Sequence, residues 1–201
     1  MQLNRLEFLA MNNPLRRMHL RFIELRAFQK LLNRHNITLQ GKILLDAACG
    51  SGYSLRLLQK TFKPKNLIGF DFMPAQARLA RRFKGQASYF LGDATQLPLV
   101  DELFDGLFAF GMLHHVENWQ GAVQEFYRVL SPGGYLLVEE PSRSVVNFFG
   151  TYFGFEFPVQ GQFEWHEFEN VLEKSGFKKI ACKNLYCSCL RFYLFQKPLA
   201  K

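Results

Sequence analysis

Two glycines behind an apolar run, followed at intervals by lone carboxylates, are the residues in this chain whose types and spacing suit chemistry. The run Leu44-Leu45-Asp46-Ala47-Ala48-Cys49-Gly50-Ser51-Gly52-Tyr53 reads as a strand, a tight turn and a helix start. Small residues there let a ligand approach the backbone, and the helix N-terminus offers unpaired N–H groups. Two acids stand at matching places further on: Asp71 ends Leu67-Ile68-Gly69-Phe70, and Asp93 follows Phe90-Leu91-Gly92. In a parallel sheet all these positions share the carboxyl edge, where open α/β folds bind ligands. A carboxylate after the second strand can accept both hydroxyls of a ribose, and one after the third can accept an adenine amino group, so a nucleoside fits between them. In isolation either acid would serve as a helix cap. A nicotinamide-binding turn requires G-x-G-x-x-G, but counting from Gly50 the third position is Leu55, and that reading loses a required close approach. His114 and His115 follow the fourth apolar run, where one could act as a base on a hydroxyl or the pair could simply shape a pocket.

The elements that must position these residues are visible in the hydrophobic pattern. Short apolar runs cover Lys42 to Ala48, Asn66 to Phe72, Ala87 to Leu91, Phe104 to Leu113 and Tyr135 to Glu139. Between them Tyr53 to Thr61, Pro74 to Phe83 and Trp119 to Leu130 carry apolar residues at helical spacing. Strand and helix alternate five times, which predicts a doubly wound parallel α/β sheet. Phe163 to Ser175 reads as a helix stopped by Gly176, then Lys179 to Tyr186 and Leu190 to Gln196 as a closing hairpin. Ahead of the sheet, Asn13 and Pro14 read as a cap and first helical position. The stripe Leu15, Met18, Phe22, Leu25, Phe28 and Leu32 then predicts one amphipathic helix packed on the domain or on lipid.

The chain has 201 residues, 48% of them hydrophobic and 21% charged, which suits one compact domain with an appended helical segment and argues against disorder. No run approaches the roughly 18 apolar residues of a membrane span, and Met1 to Ala10 lacks the order of a secretory signal, so a cytoplasmic protein is expected. Four cysteines are too few for a disulfide framework, and Cys187 and Cys189, on one face of a predicted strand, lack companion ligands; no metal site is expected. The net charge is +8, of which +5 lies in residues 1–41, where seven Lys or Arg face two Glu. Such an arm suits a solvated face, an anionic substrate or a membrane surface; without a dense basic run or nucleic-acid module, no specific nucleic-acid partner is expected.

From about Gly41 to Lys197 the sequence resembles the class I S-adenosylmethionine-dependent methyltransferases, particularly the small-molecule group that includes the ubiquinone and menaquinone biosynthesis methyltransferases. The resemblance rests on Leu45 to Gly52, Gly69-Phe70-Asp71, Gly92-Asp93-Ala94, Leu97-Pro98 with Phe104-Asp105, Leu113-His114-His115-Val116, and Arg128 to Gly134, in that order. It implies a seven-stranded, mostly parallel sheet with an antiparallel last strand, S-adenosylmethionine as cofactor, and a division into an N-terminal helical cap (1–40) and a methyltransferase domain (41–201). Carried over by position, Gly50 and Gly52 flank the methionine moiety, Asp71 takes the ribose, Phe72 and Met73 the adenine face, and Asp93 with Ala94 the adenine edge. Gly111 and Met112 border the same cofactor, and Asp46 orients the turn or reaches the amino group. Ala48 stands where the family's turn usually has its first glycine, which leaves less room.

The acceptor implied is a small apolar or lipid-like molecule. Nine aromatics between Phe148 and Phe168 read as a lid over it or as a second core, and together with the basic N-terminal helix they are expected to roof the methyl site. The competing reading is a binding or regulatory module that keeps the fold without turnover, suggested by Ala48 and by the lack of an unambiguous base.

Overall fold

The computed structural model describes residues 4–81 and 85–199. The chain begins with a helical cap formed by α1 (Arg5–Asn12), α2 (Pro14–His19), a π-helical turn (Leu20–Glu24) and α3 (Leu25–Arg34). The sheet domain then runs β1 (Ile43–Ala47), α4 (Tyr53–Phe62), β2 (Asn66–Asp71), α5 (Pro74–Ala80), β3 (Ser88–Leu91), β4 (Phe104–Phe110), α6 (Trp119–Val129), β5 (Leu130–Pro141), α7 (Arg143–Phe153), α8 (Trp165–Lys174), β6 (Lys178–Leu185) and β7 (Leu190–Gln196). The strands form one sheet in the order β3-β2-β1-β4-β5-β7-β6, in which β7 runs antiparallel to both β5 and β6 and the other pairs are parallel. This is the expected doubly wound architecture, with the order reversing between β1 and β4 and the ends of β1 to β4 converging on one edge.

Leu55, in the place of a third glycine, packs fully buried on the sheet because the neighbouring strand gives way: a β-carbon on Gly69 would lie 2.9 Å from Leu55 and from Cys49. The large residue on the helix and the missing one on the strand are complementary. Gly134 has a similar duty, since a β-carbon there would meet the carbonyl oxygens of Ser131 at 2.8 Å and Phe104 at 3.0 Å. That close approach lets β5 start at Leu130, five residues before the predicted start, through a register shift opposite Phe104 and Gly106. Pro132 and two glycines look like a turn in sequence, but the bulge absorbs them.

Three expectations need correction. First, no helix occurs between β3 and β4, so strand and helix do not alternate throughout. The connection is held instead by Arg128, which donates to the carbonyls of Leu97 (3.0 Å) and Leu99 (2.7 Å) and to Asp101 (2.6 Å), while Glu125 accepts from Leu97 N–H (2.7 Å). Second, Cys187 and Cys189 lie in the β6–β7 turn rather than on a strand, with Tyr186, Cys187 and Ser188 all at positive φ. Third, the stripe on the N-terminal helix is split. Leu25, Phe28 and Leu32 are buried, but Leu15, Met18 and Phe22 are exposed. A π-helical turn inserts about one extra residue, which rotates the apolar face by roughly 100° between Phe22 and Leu25. The predicted end of the helix from Pro74, at Phe83, lies outside the described residues.

Asn13 does cap α2, accepting from Arg16 N–H at 2.8 Å with Pro14 in the first turn. Phe28 ties the cap to the sheet, lying edge-on to Phe108, Phe110 and Phe192 at centroid separations of 5.4–5.8 Å. Truncating this fully buried ring leaves a cavity beneath the cap. Phe28→Ala is expected to lower unfolding stability by about 3–5 kcal/mol in urea titrations; a loss below about 1 kcal/mol would show that the cap is not part of the cooperative core.

Candidate active site

A cavity of about 400 Å³ lies along the carboxyl edge, walled by the segments that follow β1, β2, β3 and β4 and covered by Met11, Asn12, Arg16, Arg17 and Leu20 of the cap. Ala48, Gly50, Asp71, Phe72, Met73, Asp93, Ala94, Gly111 and Met112 all border it. Its first wall is the turn after β1. Ala48 (φ 54°), Gly50 (φ 55°) and Gly52 (φ 81°) adopt left-handed conformations, which bend the chain sharply into α4. For Ala48 that conformation costs roughly 1 kcal/mol, so the methyl group that takes up room also stores strain.

Asp71 fastens this turn to β2. One carboxylate oxygen accepts from Gly50 N–H (2.9 Å) and the other from Met73 N–H (2.8 Å). Burial pushes its pKa up, opposed by those two N–H groups. An ionised carboxylate has about four acceptor positions, so two remain for a ligand. Asp93 likewise caps its own turn, accepting from the N–H and hydroxyl of Thr95, both at 2.8 Å and both on one oxygen. Neither acid caps a helix, since Met73 is the N-cap of α5 and no helix follows Asp93 before β4; each holds a turn with only part of its carboxylate.

Asp46 and Gly52 do not border the cavity. Gly52 is the buried N-cap of α4. Asp46 is fully buried beneath the turn and accepts from the Ser54 hydroxyl, while its other oxygen has no partner. Burial raises its pKa to about 7, against the pull of Ser54 and with a smaller push from Asp71. Through Ser54 it ties the end of β1 to the first turn of α4. Cys49, also on the wall, has its thiol pKa pushed up by burial.

The two histidines divide in function. His114 points away from the cavity into Glu140, whose carboxylate meets its Nδ1 at 2.6 Å and also accepts from the N–H groups of Met112 (3.0 Å) and Leu113 (2.7 Å). Glu140 thus pins the segment after β4. His115 borders the cavity with its Nδ1 unpaired. Burial first, then His114 with its ring centroid 4.2 Å away, holds the His115 pKa well below the usual value, so the imidazole is neutral.

The aromatic segment does not roof the cavity. Phe163 and Phe168 are buried against Trp119, whereas Phe148, Phe149, Tyr152 and Phe153 cluster on the surface. Phe157 comes nearest, its ring centroid 5.1 Å from that of His115. The roof is the cap alone. Sequence reasoning missed Gln76, a buried amide in the cavity wall that accepts from Asn12 at 3.3 Å, and the buried pair Glu139 and Glu140. The signal was present: a polar residue within a short apolar helix, and two acids closing an apolar strand. Glu139 lies behind Gly111, where a β-carbon would meet its carboxylate at 3.2 Å. Burial, then Glu24, pushes its pKa well up.

Residues 45–138 match the family model of the methyltransferase domain. The chain is 35% identical over 97 residues to malonyl-[acyl-carrier protein] O-methyltransferase of Serratia marcescens, covering 48% of this chain and 37% of that protein. It is 38% identical over 104 residues to demethylmenaquinone methyltransferase of Thermus thermophilus, covering 49% and 47%. Among solved structures, a Haloferax volcanii methyltransferase in complex with the Trm112 methyltransferase activator superposes with a TM-score of 0.77 at 16% identity, over 96% of this chain and 98% of that one. Residues 45–138 are thus a class I S-adenosylmethionine-dependent methyltransferase domain, and S-adenosylmethionine is the cofactor of that family. The chain spans less than half the length of the curated relatives it matches. Those relatives are named as enzymes, which does not favour a module without turnover.

Two substitutions test the turn. Ala48→Gly relieves the left-handed conformation and is expected to raise Tm in a thermal melt; a fall would show that the β-carbon packs favourably. Asp46 has a folded pKa above its unfolded value of about 3.9, so the folded state holds its proton more tightly and stability falls as pH rises from about 4 to 7. The shift from 3.8 to about 7 corresponds to a loss on the order of 4 kcal/mol across that window. Asp46→Asn should remove this slope in urea titrations at pH 4.5 and 7.5; an unchanged slope would assign it to other groups.

Proposed function

We propose that this chain transfers a methyl group from S-adenosylmethionine to a small, apolar or lipid-like acceptor. The observation that carries the reading is the single cavity bordered by Asp71 and Asp93 at the polar ends of β2 and β3 and by Met11, Leu20, Phe110, Met112 and Val116 elsewhere. The residues present fit the cofactor. Asp71 keeps two free acceptor positions for ribose hydroxyls, Asp93 keeps one oxygen free for an adenine amino group, and half-exposed Phe72 offers a face to the base. The left-handed turn at Gly50 leaves space for the amino-acid end. When bound, the cofactor supplies a methyl group made electrophilic by a sulfonium.

The remaining work falls to the chain's own residues. Glu140 holds Met112 and Leu113 in place, so that the segment after β4 keeps one shape. Neutral His115 is the histidine that borders the cavity, and its imidazole is the group of the pair that can take the proton of a hydroxyl acceptor. An acceptor that is already nucleophilic needs positioning alone. The cap excludes water from above. This reading treats 1–40 as the cap and 41–201 as the catalytic domain, in a cytoplasmic protein with peripheral membrane contact and no nucleic-acid substrate. No helix among the described residues is long and apolar enough to cross a membrane.

Isothermal titration of S-adenosylhomocysteine tests the assignment. Asp71→Ala should weaken binding by about 1.5–3 kcal/mol, the range for hydrogen bonds to a charged group, while NAD should not compete at micromolar concentration. Unchanged affinity in a folded Asp71→Ala protein would remove Asp71 from the site, and competition by NAD would overturn the choice of cofactor.

A further inference from the structure

A second cavity, separate from the first except for the shared Tyr53, lies between the cap and α4. It is lined by Arg21, Arg26, Arg56 and Lys60, with Phe22, Leu25, Leu57 and Tyr53 as its apolar walls. It holds four cations and no acid. All four are exposed, and among the described residues none makes a salt bridge. The guanidinium groups of Arg21 and Arg26 lie 5.0 and 5.2 Å from the centre of the Phe22 ring, which holds both at the rim. Four unpaired cations around one hollow suit an anion with several oxygens, such as a phosphate monoester or diester.

The surface beside the hollow decides what carries that phosphate. Leu15 (74% exposed), Met18 (55%) and Phe22 (41%) follow one another along the cap helix, turned outward by the π-helical turn that buries the downstream half of the stripe. Leu15 and Met18 are aliphatic and offer a nucleic acid no stacking face, and the Phe22 ring already carries the guanidinium groups of Arg21 and Arg26, whereas a nucleic acid is bound by stacking and phosphate contacts. It is the pattern of a helix lying in a bilayer interface, apolar side chains among the acyl chains and basic side chains at the headgroups. We propose that this face docks on an anionic lipid bilayer, with Leu15, Met18 and Phe22 inserted and a lipid headgroup phosphate seated among Arg21, Arg26, Arg56 and Lys60.

Arg16, Arg17 and Leu20, on the same helix, cover the methyl-transfer cavity, and Arg17 lies 5.4 Å from the ring centre of the shared Tyr53. Docking brings the roof of the active cavity to the lipid surface, where a lipid-like acceptor resides. The inference deepens the proposed acceptor class and rests on it for its purpose, but the docking itself needs neither acceptor nor cofactor.

Sedimentation of the full chain with large unilamellar vesicles is the test, using phosphatidylcholine alone and with one-third phosphatidylglycerol, at 50 and 300 mM NaCl. Binding is expected to the anionic vesicles and not to the neutral ones, weaker at the higher salt. Arg21→Gln/Arg26→Gln and Arg56→Gln/Lys60→Gln should each weaken it roughly tenfold or more, from the usual contribution of a basic residue at an anionic membrane. Leu15→Gln/Met18→Gln should weaken it with no change of charge. Lys174→Gln/Lys178→Gln, which removes two charges from α8 and β6, should leave it intact. Every variant should keep its melting temperature and its affinity for S-adenosylhomocysteine, so a failure to dock is read separately from a failure of the methyltransferase assignment. The proposal is overturned by absent binding to anionic vesicles or by an equal loss in the Lys174/Lys178 control. It is also overturned if a single-stranded RNA displaces the vesicles while Leu15→Gln/Met18→Gln has no effect.

Discussion

The carboxylate of Asp71, reaching back across the edge of the sheet to Gly50 N–H while holding Met73 N–H, is the interaction on which the site depends. It joins the turn after β1 to the segment after β2, which are 21 residues apart in sequence. Without it, a turn containing Ala48 in a left-handed conformation would have little to hold it, since the conformation itself is unfavourable for a residue with a β-carbon. The acid is buried, and burial disfavours its charge, so both N–H groups also serve to keep it ionised. One side chain thereby sets the shape of the turn and presents a charge to the cavity.

The same economy appears at β5. Glu140 gathers Met112, Leu113 and His114, and leaves His115 as the histidine that faces the cavity. Its neighbour Glu139 points to the other side of the strand, toward the cap, where Glu24 pairs with Arg16 at 2.6 Å and with His19 at 2.7 Å. Alternation along a strand explains why adjacent acids have such different surroundings. The cap is therefore joined to the sheet by the aromatic contacts of Phe28, while the pairs of Glu24 with Arg16 and His19 brace the cap itself, and it closes the cavity that the sheet leaves open.

Much of this was legible in the sequence because it depends on short-range rules. The strand-turn-helix around Gly50, the acids after β2 and β3, the cap at Asn13 and the closing hairpin are each set by neighbours within a few residues. The failures have a common origin in contacts between segments distant in the chain. No local pattern announces that Arg128 will stand in for a helix between β3 and β4, or that Gly69 makes room for Leu55. The periodic stripe from Leu15 to Leu32 looked uniform, yet a single π-helical turn splits it into an exposed and a buried half. Conversely, the aromatic richness of 148–168 said nothing about direction, and its rings are divided between core and surface. Which of two adjacent histidines faces the cavity was equally invisible, because Glu140 makes the choice from 26 residues away.

A crystal structure of the chain with S-adenosylhomocysteine tests the central claim most directly. The ribose hydroxyls should lie within hydrogen-bonding distance of Asp71 while its bonds to Gly50 and Met73 persist, with the adenine beside Asp93 and the sulfur near Gly111 and Met112. A nucleoside bound elsewhere, or an Asp71 carboxylate that must abandon the Gly50 N–H to admit it, would contradict the account.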